Sequence, residues 1–441
     1  MKIKNYHSWG NYPNPSKLIQ KVRTINSRNS IDLTVSENET LLPYGNGRSY
    51  GDSCLNDGGT LLHTRDLNQI IEFDSENGIL KCEAGVLISE VIDLISPYKW
   101  FLMVTPGTRF ITIGGAVAND IHGKNHHQAG TFGCHVIGFE LIRSDGQILF
   151  CSRDENEKLF SATIGGLGLT GVITWIKFSL LKVNSSFMDV ETLSFNNLDE
   201  FFQISKDSDN SYEYTFAWVD CLAIGPAIGR GVFKRAKHSL DGGSPHPVSR
   251  QISFPINLPF SIVNKFSLKF FNGLYRLNSS INEGNNVENI FSFFYPLDSI
   301  KNWNRLYGKK GFLQYQCVIP MDDAKSVIRE ILERISNSKQ GSFLAVLKIF
   351  GNIESPGMLS FPRQGVTLAL DFPNKGDKLF KLLNELDQLV ISSGGAIYPA
   401  KDARMSNEVF CASFPEFNEF STYVDPVFSS SFWRRVGEEQ A

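Results

Sequence analysis

Residues 114–127 read Gly114-Gly115-Ala116-Val117-Ala118-Asn119-Asp120-Ile121-His122-Gly123-Lys124-Asn125-His126-His127. Paired glycines and small side chains allow the backbone to approach a flat ligand closely. Four of the eight histidines of the chain fall between positions 122 and 135. The stretch therefore predicts a ligand-binding site that also carries side chains capable of chemistry.

The composition is that of an ordinary globular protein. The 441 residues are too many for one hydrophobic core and predict two domains. A hydrophobic content of 42% and a net charge of −3 exclude a disordered chain and give no electrostatic footprint for nucleic acid. Apolar runs are shorter than the roughly 20 residues of a spanning helix, and no signal peptide is expected.

The cysteines favour a reducing compartment. There are seven, an odd number, and they are scattered without any CxxC spacing. Neither a disulfide framework nor a structural zinc site matches this pattern. A cytoplasmic enzyme is the resulting expectation.

Short strands and helices alternate in the first half of the chain. Turn sequences precede strands predicted at 60–63 and 79–82, and Ile88, Val91 and Ile92 begin one apolar helical face. Strands mixed with helices predict an α+β or α/β fold.

The second half begins differently and then regains regular structure. A Pro-, Gly- and Ser-rich segment from 239 to about 260 and a polar stretch at 278–286 are predicted to be loops. Strands are predicted at 312–319, 343–350 and 365–372, with a helix over 323–336.

Two glycine-rich segments are candidate nucleotide loops. Pro43–Asp52 suits a loop whose N–H groups surround a pyrophosphate, although a tight surface turn explains it equally well. Gly166, Gly168 and Gly171 form a literal GxGxxG, but a helix precedes them and a strand follows. A Rossmann site needs the opposite order, so that interpretation is rejected.

Two polar clusters have structural alternatives. His122, His126 and His127 match no metal-binding spacing, so no metal is expected and ordinary packing histidines are the main alternative. The segment Tyr398–Arg404 is a predicted strand end followed by three charged side chains, for which a solvated turn is the alternative.

Together these segments resemble FAD-dependent oxidoreductases of the vanillyl-alcohol oxidase type, and within that class the decaprenylphosphoryl-β-D-ribose 2′-oxidase family. The resemblance covers almost the whole chain, and the Asp-Ile-His-Gly-Lys-Asn-His-His run is its most specific part. The matching stretches are Gly47–Asp52, Pro106–Thr108, Asp120–His127, Gly168–Gly171, Gly311–Gln316 and Tyr398–Asp402.

The resemblance implies a two-domain fold of this type with a sheet-based substrate domain. The FAD-binding domain would be 1–183, the substrate-binding domain 184–395, and a C-terminal segment, 396–441, would return to the FAD-binding domain. The implied cofactor-binding residues are Gly45, Asn46, Gly47, Arg48, Ser49, Tyr50, Gly107, Thr112, Ile113, Gly114, Gly115, Asn119, Asp120, Ile121, His122, Ile173 and Tyr398.

Three departures from the family pattern matter. Arg48 stands where many relatives in the wider class carry a histidine that tethers FAD, so noncovalent FAD is predicted. Ala369 replaces a pocket cysteine that is frequent in the nearest family, so thiol-directed inhibitors should not label this pocket. Phe293–Pro296 reads Phe-Phe-Tyr-Pro instead of Phe-Tyr-His-Pro, which changes the polarity of the pocket.

Oxidation of a sugar hydroxyl requires a hydride acceptor and a proton acceptor. Lys401 is the first candidate for a polar contact to substrate and flavin, and His122 and Tyr50 are alternatives for proton handling. The residues expected to bind the substrate are Gln314, Gln316, Lys348, Lys401 and Trp218.

The implied function is oxidation of the ribose 2′-hydroxyl of a polyprenylphosphoryl-β-D-ribose, the first half of an epimerisation to the arabinose donor. A separate NAD(P)H-dependent keto-reductase would complete it. A soluble alditol, aldose or sugar-lactone oxidase and a non-enzymatic flavin-binding protein are the alternatives. Residues 260–271 interleave aromatics with two lysines, so peripheral contact with the inner membrane competes with a helix packed inside the substrate domain.

Overall fold

The computed structural model describes residues 6–240, 252–254, 256 and 258–437. Its helices and strands are mixed along the chain, which confirms the predicted α+β class. Much of the Pro-, Gly- and Ser-rich segment predicted to be a loop lies outside the described residues, at 241–251, 255 and 257.

The N-terminal part forms two sheets. A small parallel sheet has the order β1-β3-β2, and a larger antiparallel sheet has the order β4-β5-β9-β7-β8, with β6 also paired to β9. The elements are β1 (Lys21–Thr24), β2 (Leu41–Tyr44), β3 (Thr60–His63), β4 (Ile70–Asp74), β5 (Ile79–Glu83), α1 (Ile88–Ile95), β6 (Trp100–Leu102), α2 (Ile113–Ala118), α3 (His126–Ala129), β7 (Val136–Ile142), β8 (Ile148–Ser152), α4 (Glu157–Thr163) and β9 (Val172–Lys182).

The periodicity of α1 explains its position on the larger sheet. Ile88, Val91, Ile92 and Ile95 recur at helical spacing, and all four are buried. The glycines at 165–171 follow α4 and precede β9, so the order is helix, loop and strand, as predicted. This confirms that the GxGxxG is not a Rossmann loop.

The second part is built on one antiparallel sheet with the strand order β14-β10-β12-β11-β17-β18-β16-β19. Its elements are β10 (Phe187–Phe195), α5 (Leu198–Ser208), β11 (Tyr214–Val219), β12 (Gly231–His238), β13 (Ile252–Ser253), α6 (Lys265–Ile281), β14 (Gly284–Asn289), α7 (Ile290–Phe294), β15 (Ile300–Lys301), β16 (Phe312–Pro320), α8 (Met321–Ser338), β17 (Ala345–Phe350), β18 (Gly365–Pro373), α9 (Asp377–Ser392) and β19 (Ala396–Ile397).

The two faces of this sheet differ because side chains alternate along each strand. Leu313, Tyr315 and Cys317 point to one face and join a core with Ile328 of α8 and Leu383 of α9. The residues between them, including Gln314 and Gln316, point to the opposite face. That second face is turned toward the N-terminal part and carries most of the polar side chains considered below.

The prediction of a loop at 278–286 is wrong. Residues 278–281 are the last turn of α6, and 284–289 form β14, which pairs with β10 at the edge of the large sheet. Phe266, Leu268, Phe270 and Phe271 lie in the first two turns of α6, and the helix continues through the polar residues that follow. An edge strand exposes side chains to water, so the asparagines of β14 are tolerated there.

The C-terminal segment binds both parts together through α10 (Asn407–Ser413), α11 (Phe417–Ser421) and α12 (Ser431–Gly437). Asp425 forms an ion pair with Arg143 of the N-terminal part. β19, at the start of the predicted C-terminal segment, is an edge strand of the large sheet, paired with β16. The domain limits at 183 and 396 stay predictions. Across the described residues, helices fall short of the length and apolarity needed to cross a membrane.

Candidate active site

The loop after β2 presents a row of free backbone donors. Among the described residues, nothing accepts a hydrogen bond from the N–H groups of residues 45–49. The flanking contacts hold the loop open: Asn46 Nδ2 donates to the Phe110 carbonyl, and the Tyr50 N–H donates to the Ala400 carbonyl at 2.9 Å. Gly47 has a φ of +59°, which favours glycine. Consecutive free N–H groups form a concave anion-binding site.

Arg48 points its guanidinium into the same region. The guanidinium carbon lies 4.1 Å from the Trp9 ring centroid and 5.6 Å from that of Phe110. Its buried Nε has no hydrogen-bond partner among the described residues. Burial lowers the pKa of Arg48, and the nearby Asp298 carboxylate partly offsets that shift. A cation with an unsatisfied donor beside free N–H groups adds to the preference of this loop for an anion.

Helix α2 begins against this loop. Thr112 is its N-cap, and its side-chain oxygen accepts a hydrogen bond from the Gly115 N–H at 3.1 Å. A Cβ at Gly45 would collide with the Thr112 hydroxyl, so the absence of a side chain at Gly45 lets the two segments meet. Gly107, by contrast, faces open space, where a Cβ would meet nothing within 4 Å.

His122 connects the N-terminal part to the large sheet. Its Nε2 lies 3.0 Å from Gln316 Nε2, and its ring lies among Phe350, Phe361 and Tyr398. Because the amide donates, Nε2 is the acceptor and the imidazole proton is assigned to Nδ1, which is buried without a partner among the described residues. Burial, assisted by the Lys348 charge, lowers the pKa of His122 well below its usual value.

The polar face of the sheet is built from rows of paired residues. Gln314 pairs with Asp371, and Gln316 pairs with Ala369. Ala369 pairs in turn with Val346, which pairs with Trp218 on β11. Paired residues in antiparallel strands point to the same side, so the register brings amide, carboxylate and indole groups onto one wall.

Three lysines project into this region, and none forms an ion pair among the described residues. Lys348 Nζ donates to the Gly123 carbonyl at 3.3 Å, while Lys124 Nζ lies 4.0 Å from the Phe216 ring centroid. Burial lowers the pKa of Lys348 to about 7, helped by the Lys401 charge, and lowers the pKa of Lys124 strongly. Unpaired buried cations favour a bound anion.

Lys401 lies over Tyr50. Its Nζ is 4.0 Å from the Tyr50 ring centroid. Burial lowers the pKa of Lys401 to about 8, and the Asp371 carboxylate opposes that shift. The turn carrying Lys401 is fixed by its neighbours, because the Asp402 carboxylate pairs with Arg435 at 3.0 Å and Arg404 pairs with Asp387.

Comparison with known proteins identifies the family of the chain. Residues 27–152 match the FAD binding domain family. The chain is 35% identical over 413 residues to decaprenylphosphoryl-β-D-ribose oxidase of Mycolicibacterium smegmatis, which covers 90% of this chain and 89% of that protein. The chain belongs to the decaprenylphosphoryl-β-D-ribose oxidase family. It is an FAD-dependent oxidoreductase.

Other relatives are consistent with this family assignment. An uncharacterised protein of Streptomyces coelicolor is 32% identical over 370 residues, covering 80% of this chain and all of that protein. Mouse L-gulonolactone oxidase is 26% identical over 187 residues, only 41% of each chain. The decaprenylphosphoryl-β-D-ribose oxidase family therefore matches both parts of the chain, whereas the lactone oxidase matches less than half.

The residues present fit FAD. The free N–H groups of 45–49 and the orphaned Arg48 Nε suit a pyrophosphate, and Gly107 leaves room where a larger residue would intrude. The orphaned Nδ1 of His122 is a buried donor that needs an acceptor. These residues would hold and orient FAD, which would supply a hydride acceptor when bound.

The other residues predicted to bind the cofactor lie in different environments. Asn119 and Tyr398 lie together, since the Tyr398 hydroxyl donates to the Asn119 carbonyl at 2.8 Å. Ile113, Ile121 and Ile173 are buried in the core around α2. The Gly114 N–H donates to the Ala84 carbonyl, so that glycine packs α2 against the sheet.

The Asp120 side chain makes all of its hydrogen bonds within the protein. Its Oδ1 accepts a hydrogen bond from the Gly133 N–H at 2.8 Å, and Oδ2 accepts from Ser355 and Ser360 at 2.5 Å each. The carboxylate is therefore fully engaged within the protein and is not available to a cofactor through its side chain. Its role is to hold the loop after β17 against α2.

Two other expectations also change. The solvated-turn alternative for Tyr398–Arg404 is wrong because Asp402 and Arg404 are engaged in ion pairs of low exposure. The Trp218 N–H is already satisfied by the Phe343 carbonyl at 3.0 Å, so only its ring is free to contact a substrate.

The histidine cluster does not form a metal centre among the described residues. His127 Nε2 bonds the Tyr212 carbonyl, and the His126 ring lies 4.4 Å from that of Phe350. Burial lowers the pKa of His126 to about 3.

Sequence reasoning missed two residues of the site. Lys124 lies inside the stretch 114–127. The sequence did not show that its ammonium group lies among aromatic side chains and forms no ion pair among the described residues. Asp371 lies between Leu370 and Phe372 in β18. A carboxylate placed between two apolar residues of a strand was the available signal for this residue.

Proposed function

We propose that this protein oxidises the ribose 2′-hydroxyl of a polyprenylphosphoryl-β-D-ribose to the 2′-keto sugar, with FAD as hydride acceptor. The observation that carries the proposal is a wall with two glutamine amides and, beside it, three buried lysines that form no ion pair among the described residues, Lys124, Lys348 and Lys401. Amides suit sugar hydroxyls and the lysines suit a phosphodiester. The name of the Mycolicibacterium smegmatis relative supports the same substrate.

The predicted site residues take definite roles in this proposal. Gly45, Asn46, Gly47, Arg48 and Ser49 hold the FAD pyrophosphate, while Gly107, Thr112, Gly115, Asn119, His122 and Tyr398 surround the rest of the cofactor. Gln314 and Gln316 bind the sugar, Lys348 and Lys124 bind the phosphate, and the Trp218 ring closes the wall. Lys401 contacts both substrate and flavin from its position over Tyr50.

Peripheral contact with a membrane is a second element of the proposal. Along α6, Phe266 and Phe270 are 84% and 70% exposed, and Leu274, Leu277 and Ile281 continue the same exposed stripe. An apolar helix face of this kind inserts into a lipid surface. Phe271 is different, because its ring packs 5.0 Å from that of Phe343. In this proposal the exposed stripe contacts lipid, while Phe271 packs against the substrate domain.

A keto sugar requires a second enzyme before it becomes an epimer. Reduction from the opposite face needs a hydride donor, and we assign that step to a separate NAD(P)H-dependent reductase. The product of this protein would pass to that partner at the membrane.

Product analysis tests the proposal. Enzyme incubated with polyprenylphosphoryl ribose should yield a product lighter by two hydrogens, and borodeuteride should return it to a ribose and arabinose pair labelled at C2. Labelling elsewhere on the sugar would contradict the 2′ assignment. Turnover of free alditols or lactones alone would reassign the protein to soluble sugar oxidation.

A further inference from the structure

Asp371 is a buried carboxylate with one free oxygen. It lies on the polar face of β18 and is fully buried. Its Oδ1 accepts a hydrogen bond from Gln314 Nε2 at 2.5 Å, whereas Oδ2 has no partner among the described residues. Ala369, two residues along the same face, is only half-buried. A buried carboxylate oxygen without a partner indicates a ligand that donates a hydrogen bond there.

The other candidates for a proton acceptor are less suitable. His122 Nε2 already accepts a hydrogen bond from Gln316, and burial lowers the pKa of its ring strongly, which makes it a weak base. Burial raises the pKa of the Tyr50 phenol well above its usual value, so it keeps its proton. Lys401, with a pKa of about 8, is mostly charged at neutral pH and then has no lone pair.

We propose that Asp371 is the catalytic base, and that its free Oδ2 accepts the proton of the hydroxyl being oxidised. The inference rests on the proposed function, since it assumes that an alcohol binds against this wall. In the step, the O–H bond gives its proton to Asp371 and the C–H bond gives a hydride to FAD. A carbonyl remains, so the alcohol loses two electrons and FAD gains them.

The groups around Asp371 set the pKa of its carboxyl group. Lys401 faces it from the turn after β19, Gln314 from β16, Tyr50 from the loop after β2, and Tyr307 from the 3-10 helix before β16. Burial raises the pKa of Asp371 to about 7, and the Gln314 hydrogen bond and the Lys401 charge limit that rise. A base whose pKa is near neutral combines an adequate ionised fraction with a strong affinity for the proton.

The test compares Asp371→Asn with the wild type by anaerobic stopped-flow reduction of the bound flavin. The variant should bind FAD normally and reduce it about 100-fold more slowly or worse. The wild-type rate should rise with pH through about 7, as the carboxyl ionises, and this rise should be missing in the variant. Asp322→Asn, an exposed carboxyl at the start of α8, is the matched control.

Two further measurements separate a base from a structural residue. In Asp371→Ala, added formate should restore part of the rate, because a small carboxylate can occupy the vacated position. A variant that reduces flavin at the wild-type rate, or that keeps the rise near neutral pH, would overturn the proposal.

Failure of this inference is distinguishable from failure of the proposed function. Lipid-linked ribose and free alditols are each offered to the wild type first, and whichever alcohol reduces the flavin is used for the variants. Independently of any substrate, a buried carboxylic-acid band in the infrared spectrum should titrate near neutral pH in the wild type and be absent from Asp371→Asn. Identical titrations in the two proteins would refute the assignment.

Discussion

His122 and Gln316 face each other at 3.0 Å, nitrogen to nitrogen, across the boundary between the N-terminal part and the large sheet. The contact joins a residue of the polar glycine-rich stretch to the wall of the proposed substrate site. It also fixes the imidazole, because Nε2 is occupied and Nδ1 is left to donate elsewhere. One hydrogen bond therefore joins a residue proposed to hold the cofactor to one proposed to bind the substrate.

Replacing Gln316 by Leu should destabilise the protein measurably. The change removes the donor to His122 and leaves a buried nitrogen unsatisfied, which lowers the free energy of unfolding by about 1–3 kcal/mol. Urea unfolding of the FAD-loaded protein measures it. Gln388→Leu on the exposed face of α9 is the control and should change stability by no more than about 0.5 kcal/mol. Equal stabilities of the two variants would refute the role of the contact.

The flavin should be released by acid. Arg48 occupies the position at which a histidine tethers FAD in many proteins of the wider class, and an arginine offers no such linkage. After acid precipitation all of the flavin absorbance should remain in the supernatant. Yellow colour that stays with the washed pellet would show a covalent bond and contradict the prediction.

The Lys401 charge should define the alkaline limit of flavin reduction. Lys401 acts as a cation in this account, and its charged form predominates below a pKa of about 8 and is lost above it. The rate should therefore fall as pH rises through about 8. In Lys401→Arg the fall should move to higher pH, because arginine stays charged. An unchanged alkaline limb would assign the loss to another group.

Arg435 should be a major stabilising residue. It pairs with Asp52 at 2.7 Å and with Asp402 at 3.0 Å, and both carboxylates are buried. Arg435→Met leaves two unpaired buried charges and should lower the free energy of unfolding by about 3–5 kcal/mol. Arg329→Met is the control, since Arg329 lies 4.0 Å from an exposed Asp199 and should contribute less than about 1 kcal/mol. Similar losses in both variants would argue against the buried network.

The exposed stripe of α6 should bind lipid. Phe266, Phe270 and Leu277 lie within a narrow sector of the helix, and replacing all three by serine should weaken vesicle binding at least about tenfold, because each buried apolar side chain contributes about 1.5–3 kcal/mol. Co-sedimentation with phosphatidylglycerol vesicles measures the difference. Ile148→Ser, which removes an exposed isoleucine from β8, is the control. Binding that is unchanged in the triple variant would remove the membrane element of the proposal.

Local sequence patterns predicted the regular elements well. Four isoleucine and valine residues at helical spacing identified α1, and the strand-like stretches at 312–319 and 365–372 identified β16 and β18. Such signals succeed because each element buries one face against a core. The loop prediction for 278–286 was wrong because α6 and the edge strand β14 are stabilised by residues far away in sequence, which a local pattern does not show.

The site was predictable where its chemistry is local and not where it depends on distant partners. The loop at 45–49 was predictable because it is rich in glycines and small polar residues. The side-chain partners of Asp120 could not be predicted, because the serines that engage its carboxylate lie 235 and 240 residues away. Asp371 was not predicted as a site residue, because only the strand register shows that this carboxylate lies beside Gln314.

Anaerobic reduction of the bound flavin tests the central claim most directly. Purified protein is titrated with a polyprenylphosphoryl ribose, and separately with free ribose and alditols, while the flavin absorbance is recorded. We expect bleaching by the lipid-linked sugar and not by the free sugars. Bleaching by free sugars alone would contradict it and identify a soluble sugar oxidase.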